Sequence, residues 1–235
     1  MKGKDVHRFQ TLDTNRLVFF PYFVNEQAEL VQMEDLEKNH PKTFAYVKAN
    51  KIAFESRESG KAKKADEIYQ YLRENNISKF DQDKLVSMEI CSKWPNITTD
   101  RGSTYHTTKV YSLVKLEDTS TSLEFFAGVL NSDIFWWFMK HTGDTLQGDA
   151  RTMKTNYLNP FPLPKAVSKE DEKRISKLVL DIVAEKAGSA CSERVAVLEE
   201  KINQCVYALY GFEEEDIQIV ERALNGCPAA TAVTV

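Results

Sequence analysis

SLEFFAGVLNSDIFWWF, residues 122–138, carries the strongest structural signal in the chain. Its apolar residues recur at intervals of three and four, the spacing that gathers side chains on one face of a helix. The expected buried face consists of Leu123, Phe126, Ala127, Leu130, Ile134, Trp137 and Phe138. We therefore predict a helix that starts at Ser122 and packs into a core. The aromatic run 135–138 then belongs to that core and is not a base-stacking platform.

Strand and helix patterns alternate before this helix. The expected elements are a strand at 16–22, a helix from Pro41 to about Arg57, a polar surface loop at 58–66, strands at 84–90 and 107–116, and a turn-rich segment at 95–103. The strands rest on β-branched and aromatic runs. The helix rests on a proline suited to a first turn, with Phe44, Val47 and Phe54 along one side.

The chain after this helix is first loop-like and then helical. A glycine-bearing loop at 142–151 leads to the proline-punctuated run 157–164, which cannot be an interior helix because each proline removes a backbone donor. Ser168 and Asp171 form a capping box at the start of a helix to about Lys186, with Ile175, Leu178 and Ile182 inward. A second helix carries Val195, Leu198, Ile202, Cys205 and Leu209, and Gly211 caps it. A third, short helix follows three glutamates and carries Ile217, Val220 and Leu224.

These patterns predict an α+β fold, in which a mixed or antiparallel sheet with packed helices precedes a helical hairpin. We expect three parts: an α/β region at 1–165, a helical packing region at 166–224, and a disordered tail at 225–235.

Composition is that of a globular protein, with 42% hydrophobic and 28% charged residues. No apolar run approaches the roughly 20 residues of a membrane span, and residues 1–5 lack a signal-peptide pattern. The four cysteines (Cys91, Cys191, Cys205 and Cys227) have no short paired spacing, so neither zinc nor disulfides are expected. We expect a cytoplasmic protein without a membrane partner.

The net charge of −4 is unevenly distributed along the chain. Residues 1–165 hold 23 Lys and Arg against 22 Asp and Glu, whereas residues 166–235 hold 8 against 13. Between residues 57 and 115 there are 11 basic and 8 acidic residues. This local excess permits phosphate binding, although dedicated DNA-binding proteins are often far more basic.

No catalytic constellation is found in the sequence. Phosphate-binding loops, dinucleotide fingerprints and nucleophile elbows are absent, and the four histidines (His7, His40, His106 and His141) lack metal-ligand spacing. The run 159–162, Asn-Pro-Phe-Pro, lacks the adjacent prolines of an amino-methyltransferase loop. Asp81, Asp83, Glu89 and Lys93 lack the two-residue spacing that would aim a glutamate and a lysine at one metal-bound water. We expect no catalytic centre and no metal in this chain.

A mixed basic and aromatic stretch stands out in the middle of the chain. It comprises Arg57, Lys61, Lys63, Lys64, Tyr69, Tyr71, Arg73, Lys93, Trp94, Arg101, Thr104, Tyr105, His106 and Lys109. Long cations can neutralise phosphates, and Arg, Lys and Thr can bond base edges. The alternative interpretation is a solvated loop with ordinary surface lysines.

The order of motifs resembles that of the C-terminal specificity domain of type IIG restriction–modification enzymes and their TaqI-like relatives. The strongest match is FAGVLNS at 126–132, leading into FWWF at 135–138. The other matching segments are 3–9, 20–22, 57–61, 85–90, 100–102, 111–113, 142–143, 156–164 and 206–212. Ile68-Tyr69 departs from the tryptophan–tyrosine pair that is usual in the family.

The resemblance implies binding of double-stranded DNA at one short sequence, held for a methyltransferase that flips out its target adenine. The residues that we expect to contact DNA are Arg57, Lys61, Lys63, Lys64, Tyr69, Arg73, Arg101, Thr104, His106, Lys109, Arg151 and Lys154. Leu130, Asn131 and Pro160 are expected to shape the fold. The implied protein partner is a methyltransferase or nuclease domain, on the same parent enzyme or a separate subunit. S-adenosylmethionine, and in nucleases Mg, would serve that catalytic part, so the chain resembles a fragment or specificity subunit.

A second hypothesis is a protein-interaction module of a phage-defence complex without independent DNA binding. Near-neutral charge favours this hypothesis, whereas the clustered cations and collinear motifs favour DNA. The acidic helical end is expected to pack on protein, since its charge would repel DNA.

Overall fold

The computed structural model describes residues 1–64, 67–74, 76–102, 104–188 and 192–225. Cys191, Cys227 and the tail at 226–235, expected to be disordered, lie outside the described residues. The described chain forms two compact units. The smaller unit spans Arg16–Asp81, and the larger unit combines Met1–Asn15 with the described residues from Gln82 onward.

The smaller unit packs short helices beside a two-stranded antiparallel sheet. Its elements are β1 (Tyr22–Val24), β2 (Ala28–Leu30), α1 (Met33–Asn39), α2 (Pro41–Ala49), α3 (Lys51–Glu55), α4 (Arg57–Gly60) and 3-10 turns at Lys61–Lys64 and Ile77–Lys79. The core consists of Val31, Leu36, Val47 and Tyr69, with Phe44 and Phe54 packed against it. The predicted inward side of the 41–57 segment is thereby confirmed.

Two predicted boundaries in the smaller unit are wrong. A strand was expected at 16–22, but β1 begins only at Tyr22. The Phe19 ring packs against the rings of Phe54 and Tyr69. The helix expected to run from Pro41 to Arg57 is broken at Asn50 and again at Ser56. The Asn50 side chain donates to the carbonyl of Tyr46 at 2.9 Å, a local bond that competes with continuation of the helix.

Two three-stranded antiparallel sheets form in the larger unit. Their strands are β3 (Asp83–Met88), β4 (Ile90–Cys91), β5 (Ile97–Arg101), β6 (Val110–Val114), β7 (Thr145–Leu146) and β8 (Ala150–Thr152). β3 lies between β5 and β6, and β8 lies between β4 and β7. The strands expected near 84–90 and 107–116 are confirmed. The segment 95–103, expected to be turns, instead contains β5, whose Thr98 and Thr99 pair with Val86 and Leu85.

The larger unit also contains six helices among its described residues. They are α5 (Leu123–Leu130), α6 (Asp133–Thr142), α7 (Thr155–Leu158), α8 (Lys169–Ala187), α9 (Ser192–Tyr210) and α10 (Glu214–Leu224). The stretch 122–138 is therefore two helices and not one. The Ser132 hydroxyl accepts from the Phe135 N–H and so caps α6 immediately after α5 ends. The break turns Phe135 and Trp136 inward and leaves Trp137 and Phe138 half-buried.

The C-terminal helices follow the predicted pattern closely. Ser168 accepts from the Asp171 N–H at 3.0 Å and starts α8, while Gly211 after α9 has the positive φ of a helix cap. α8 and α9 pack against each other and against α5. Close approach of α5 to α8 requires Gly128, where an added Cβ would lie 2.5 Å from Ile175 Cγ2.

The fold class is α+β, as predicted, with antiparallel sheets and a C-terminal helical region. Among the described residues, no helix is both long enough and apolar enough to cross a membrane.

Candidate nucleic-acid interface

A lysine-rich turn projects from the smaller unit. Lys61, Lys63 and Lys64 are exposed on the 3-10 turn, while Ala62 is fully buried and anchors it. Among the described residues, none of the three ammonium groups has an ion-pair partner. Three such cations within four residues can meet successive phosphates of a nucleic acid. We refer to Lys61, Lys63 and Lys64 as the lysine turn.

Arg57 holds the chain on both sides of the lysine turn. Its Nε donates to the carbonyl of Phe54 at 3.1 Å, and its Nη2 donates to those of Ile68 at 2.7 Å and Gln70 at 2.8 Å. A guanidinium engaged by three carbonyls is suited to fixing local structure. The structure thus places this predicted DNA-binding residue as the support of the lysine turn.

The backbone that leads into the lysine turn is left-handed at three successive residues. Glu58, Ser59 and Gly60 have φ of 46°, 58° and 85°. For residues other than glycine this conformation costs roughly 1–2 kcal/mol each. Such strain persists only where surrounding contacts enforce it, and the bonds of Arg57 to both flanking segments supply that support.

Tyr69 and Arg73, the remaining predicted residues of the smaller unit, differ in accessibility. Tyr69 is fully buried and its hydroxyl donates to the carbonyl of Val31 at 2.6 Å, so in this conformation it serves the core. Arg73 is exposed and lies 3.8 Å from the Glu58 carboxylate. An exposed pair at this distance contributes little to stability, which leaves Arg73 able to turn towards a phosphate.

In the larger unit, two predicted cations already face carboxylates. Arg101 contacts Asp83 at 2.9 Å and also Glu124, and the Lys109 ammonium lies 2.7 Å from Glu89. Its hydrogen bond with Glu89 raises the pKa of Lys109. Arg101 would have to release Asp83 and Glu124 before it could bind a phosphate. Lys109 would have to release Glu89. Asp83 and Glu89, two of the residues weighed for a nuclease site, pair with different cations.

Thr104 and His106 lie beside a buried ion pair. Lys84 and Asp100 are both fully buried 2.7 Å apart, and the Thr104 hydroxyl donates to Asp100. The His106 ring contacts the Thr107 carbonyl at 3.0 Å and the Ser112 hydroxyl at 2.5 Å. Burial lowers the pKa of His106, despite an opposing hydrogen bond to Thr107, and so favours the neutral imidazole. A neutral imidazole can exchange hydrogen bonds with base edges but adds no charge for phosphates.

Arg151 and Lys154 follow each other closely in sequence but differ in exposure. Arg151 is buried and donates to the carbonyls of Lys140 at 3.1 Å and Asp149 at 3.0 Å, which ties β8 to the end of α6. Lys154, at the start of α7, is exposed and has no ion-pair partner among the described residues. Of these two, only Lys154 is available to a ligand in this conformation.

The twelve predicted residues are divided equally between the units. Within the smaller unit, the structure brings the three lysines together on one turn. Within the larger unit, the predicted residues are mostly engaged by acids or carbonyls. Sequence pattern alone could not distinguish exposed cations from engaged ones. Arg57 and Arg151 differ from exposed arginines only in the backbone carbonyls that folding places around them.

One feature of the larger unit was missed by the sequence prediction. A pocket of about 580 Å³ lies beside Trp94 and is lined also by Arg8 and Lys186. These residues come from three distant parts of the chain, so no local spacing could have linked them. The basic and aromatic character of 93–94 was its single sequence signal.

The proline-punctuated run at 157–164 packs against the core of the larger unit. The Phe161 ring packs 5.0 Å from that of Phe135, and the Tyr210 hydroxyl donates to the Pro162 carbonyl at 2.7 Å. These contacts suit a structural connector.

In a comparison with protein families, the chain matches the family described as the TaqI-like C-terminal specificity domain. The match covers residues 1–163, which include the smaller unit and the sheets of the larger unit. No curated protein matches the chain.

Proposed function

Since the chain belongs to the TaqI-like C-terminal specificity domain family, a DNA target-specificity domain of restriction–modification enzymes, we propose that it binds double-stranded DNA at one short sequence. We further propose that it does so for an adenine-N6 methyltransferase of a type II system. That catalytic part would be another domain or subunit and would bind S-adenosylmethionine, and Mg where it also cleaves. The present chain would supply recognition in the cytoplasm.

The lysine turn is the observation that carries this proposal. Its three ammonium groups are exposed and clustered, and none of them is ion-paired with a residue that the structure describes, so they are open to an approaching phosphate. Such contacts fix the position and register of a protein on DNA but carry no sequence information. Base recognition would fall to groups with hydrogen-bonding edges. In the larger unit the candidates are exposed Lys154 and His106, whose ring would first release Thr107 or Ser112.

The lysine turn can be tested by charge removal. In the triple variant Lys61→Gln, Lys63→Gln, Lys64→Gln, we expect weaker binding to every duplex and a salt dependence of log K flatter by about 3, one unit per lost phosphate contact. Fluorescence anisotropy with a labelled duplex at several salt concentrations measures both quantities.

A matched control removes the same charge from a different surface. Lys169, Lys173 and Lys177 are exposed on α8, so their triple change to Gln should leave the affinity and the salt dependence nearly unchanged. Equal losses in both triple variants would indicate a general charge effect and would contradict the placement of the DNA surface.

A second function, docking of a protein partner, is favoured by one observation. In the larger unit an apolar groove of about 360 Å³ is lined by Leu113, Leu116, Phe126 and Leu163, and Leu116 is 76% exposed. An interaction module would use such a surface without DNA. This second function predicts that the chain does not bind a duplex even at low salt. The anisotropy titration described above tests that prediction.

A further inference from the structure

The pocket beside Trp94 lies entirely within the larger unit. It is formed by the N-terminal segment around Arg8 and Gln10, by the turn between β4 and β5, and by the facing ends of α8 and α9. Its volume of about 580 Å³ falls within the range of small-molecule sites. None of its lining residues serves the DNA surface proposed above.

One wall of this pocket is an exposed aromatic ring flanked by cations. Trp94 is 47% exposed, and its ring centroid lies 5.9 Å from Arg8 Cζ and 6.0 Å from Lys93 Nζ. An accessible indole offers a stacking surface to any nucleobase. The neighbouring cations favour a planar group that carries negative charge.

Arg8 brings a buried donor that is not satisfied. Its Nη2 donates to the Asn131 carbonyl at 2.9 Å, whereas its buried Nε has no hydrogen-bond partner among the described residues and lies 3.6 Å from Glu199. A buried donor without a partner carries a free-energy penalty.

The charges of the pocket favour an anion. The Lys186 ammonium donates to the Arg8 carbonyl at 2.9 Å and to Glu199 at 3.4 Å. Arg8 and Lys186 share the carboxylate of Glu199, and Asp133 also acts on Arg8, but Lys93 beside the indole adds a third cation and leaves positive charge in excess. Burial lowers the pKa of Lys186, as does nearby Arg8, whereas Glu199 opposes the shift; a bound phosphate would favour the charged form of Lys186.

We propose that this pocket binds one unpaired nucleotide of a DNA strand, with its base stacked on Trp94 and its phosphate near Arg8 and Lys186. The exposed amide of Gln10 adds hydrogen-bonding capacity for a base edge. The stacking surface favours a nucleotide over an acidic peptide, which would use the cations but not the indole. The inference rests on the proposed binding of DNA, but it uses different residues.

Two duplexes that differ in one nucleotide test this proposal. One contains a single unpaired 2-aminopurine, and in the other the same 2-aminopurine is paired. The wild-type protein should bind the first more tightly and quench its fluorescence. Trp94→Leu should reduce that preference by about 5- to 150-fold, the usual contribution of one stacked base, and leave affinity for the paired duplex unchanged. Tyr46→Leu, which removes an exposed aromatic that does not line the pocket, should retain the preference.

Equal binding of the two duplexes by the wild-type protein, or full preference in Trp94→Leu, would overturn the proposal. A titration with deoxyadenosine monophosphate separates it from the proposed function. Quenching of Trp94 emission, taken as the difference between wild type and Trp94→Leu, supports the pocket even where neither duplex binds. Where neither duplex binds, absence of that quenching contradicts the proposal, as does stronger quenching by an oligoglutamate peptide.

Discussion

Arg57 donates hydrogen bonds to three backbone carbonyls at 2.7–3.1 Å, and the contribution of these bonds to stability can be measured. We expect Arg57→Met to lower the free energy of unfolding by about 3 kcal/mol, because charged donors are lost and part-buried carbonyls are left unpaired. Hydrogen exchange at the amides of the smaller unit, with chemical denaturation, measures the change.

Arg73→Met provides the matched control, since Arg73 is exposed and makes one long ion pair. Its effect on stability should lie within about 0.5 kcal/mol. A loss of DNA affinity in Arg57→Met without any loss of stability would mean that Arg57 contacts DNA directly rather than supporting the lysine turn.

Asp133 provides a pH-dependent test of the larger unit. Burial raises its pKa to about 6 from 3.8, although the Arg8 guanidinium opposes the shift. The folded state therefore binds more protons than the unfolded state between these values, and this group's contribution to stability is present below pH 3.8 and lost as pH rises through 6. Asp133→Asn keeps an oxygen that can accept from the Asn203 amide. This variant should not lose stability through the titration of residue 133 as the pH rises.

The measurement is the free energy of unfolding between pH 4 and pH 7, taken as the difference between wild type and Asp133→Asn. The stability of wild type relative to the variant should fall across this window. A constant difference would show that Asp133 titrates near its ordinary pKa.

At the level of single residues, the sequence shows which side chains carry positive charge. It does not show which of these side chains are exposed to a DNA ligand. Lys61, Lys63 and Lys64 are exposed, which suits the role predicted for them. Arg151 and Tyr69 belong to the same basic and aromatic pattern but are buried. Burial depends on contacts with remote segments, such as Val31 for Tyr69, and these are not encoded in local spacing. Their roles in binding stay predictions.

Among the elements, α5 and α8 depend on a glycine at their crossing. In Gly128→Ala the new Cβ would lie 2.5 Å from Ile175 Cγ2, so we expect a loss of about 1–3 kcal/mol from overpacking. Combining it with Ile175→Ala should give less than the sum of the single losses, because the shortened side chain makes room. Chemical denaturation of the four proteins of this cycle measures the coupling.

Gly188→Ala is the matched control, since its nearest neighbour to an added Cβ is the Glu185 carbonyl oxygen at 3.7 Å and its φ is −90°. That change should leave stability equal or raise it by about 0.4–1 kcal/mol. Additive losses for Gly128 and Ile175 would contradict the close crossing of α5 and α8.

The type of an element was predictable where its apolar periodicity continues over many residues. The boundaries of an element were not predictable where single polar residues interrupt that periodicity. α8 and α9 repeat their apolar spacing over 19 residues each and were predicted almost to their ends. The corner between α5 and α6 was missed. There the Asn131 amide donates to the carbonyls of Ile97 at 2.9 Å and Ala127 at 2.8 Å, bonds that end one helix and tie it to β5. Its expected structural role agrees with these contacts.

Across the whole molecule, charge is distributed unevenly along the chain. Residues 166–235 hold 13 acidic and 8 basic residues, and their helices α8 and α9 pack on α5 within the larger unit. Acidic surface on these helices would repel phosphates and so restrict where DNA approaches. The expected division of function at residue 165 stays a prediction, although the family match ends close to it at residue 163.

The central claim is that this chain reads a DNA sequence, and selection from a random duplex library tests it most directly. The purified protein is mixed with the library at low and at near-physiological salt, and the bound duplexes are sequenced. We predict enrichment of one short motif that persists at the higher salt, because contacts with bases survive screening better than contacts with phosphates. Binding without enrichment at either salt concentration, or no binding at all, would contradict the claim.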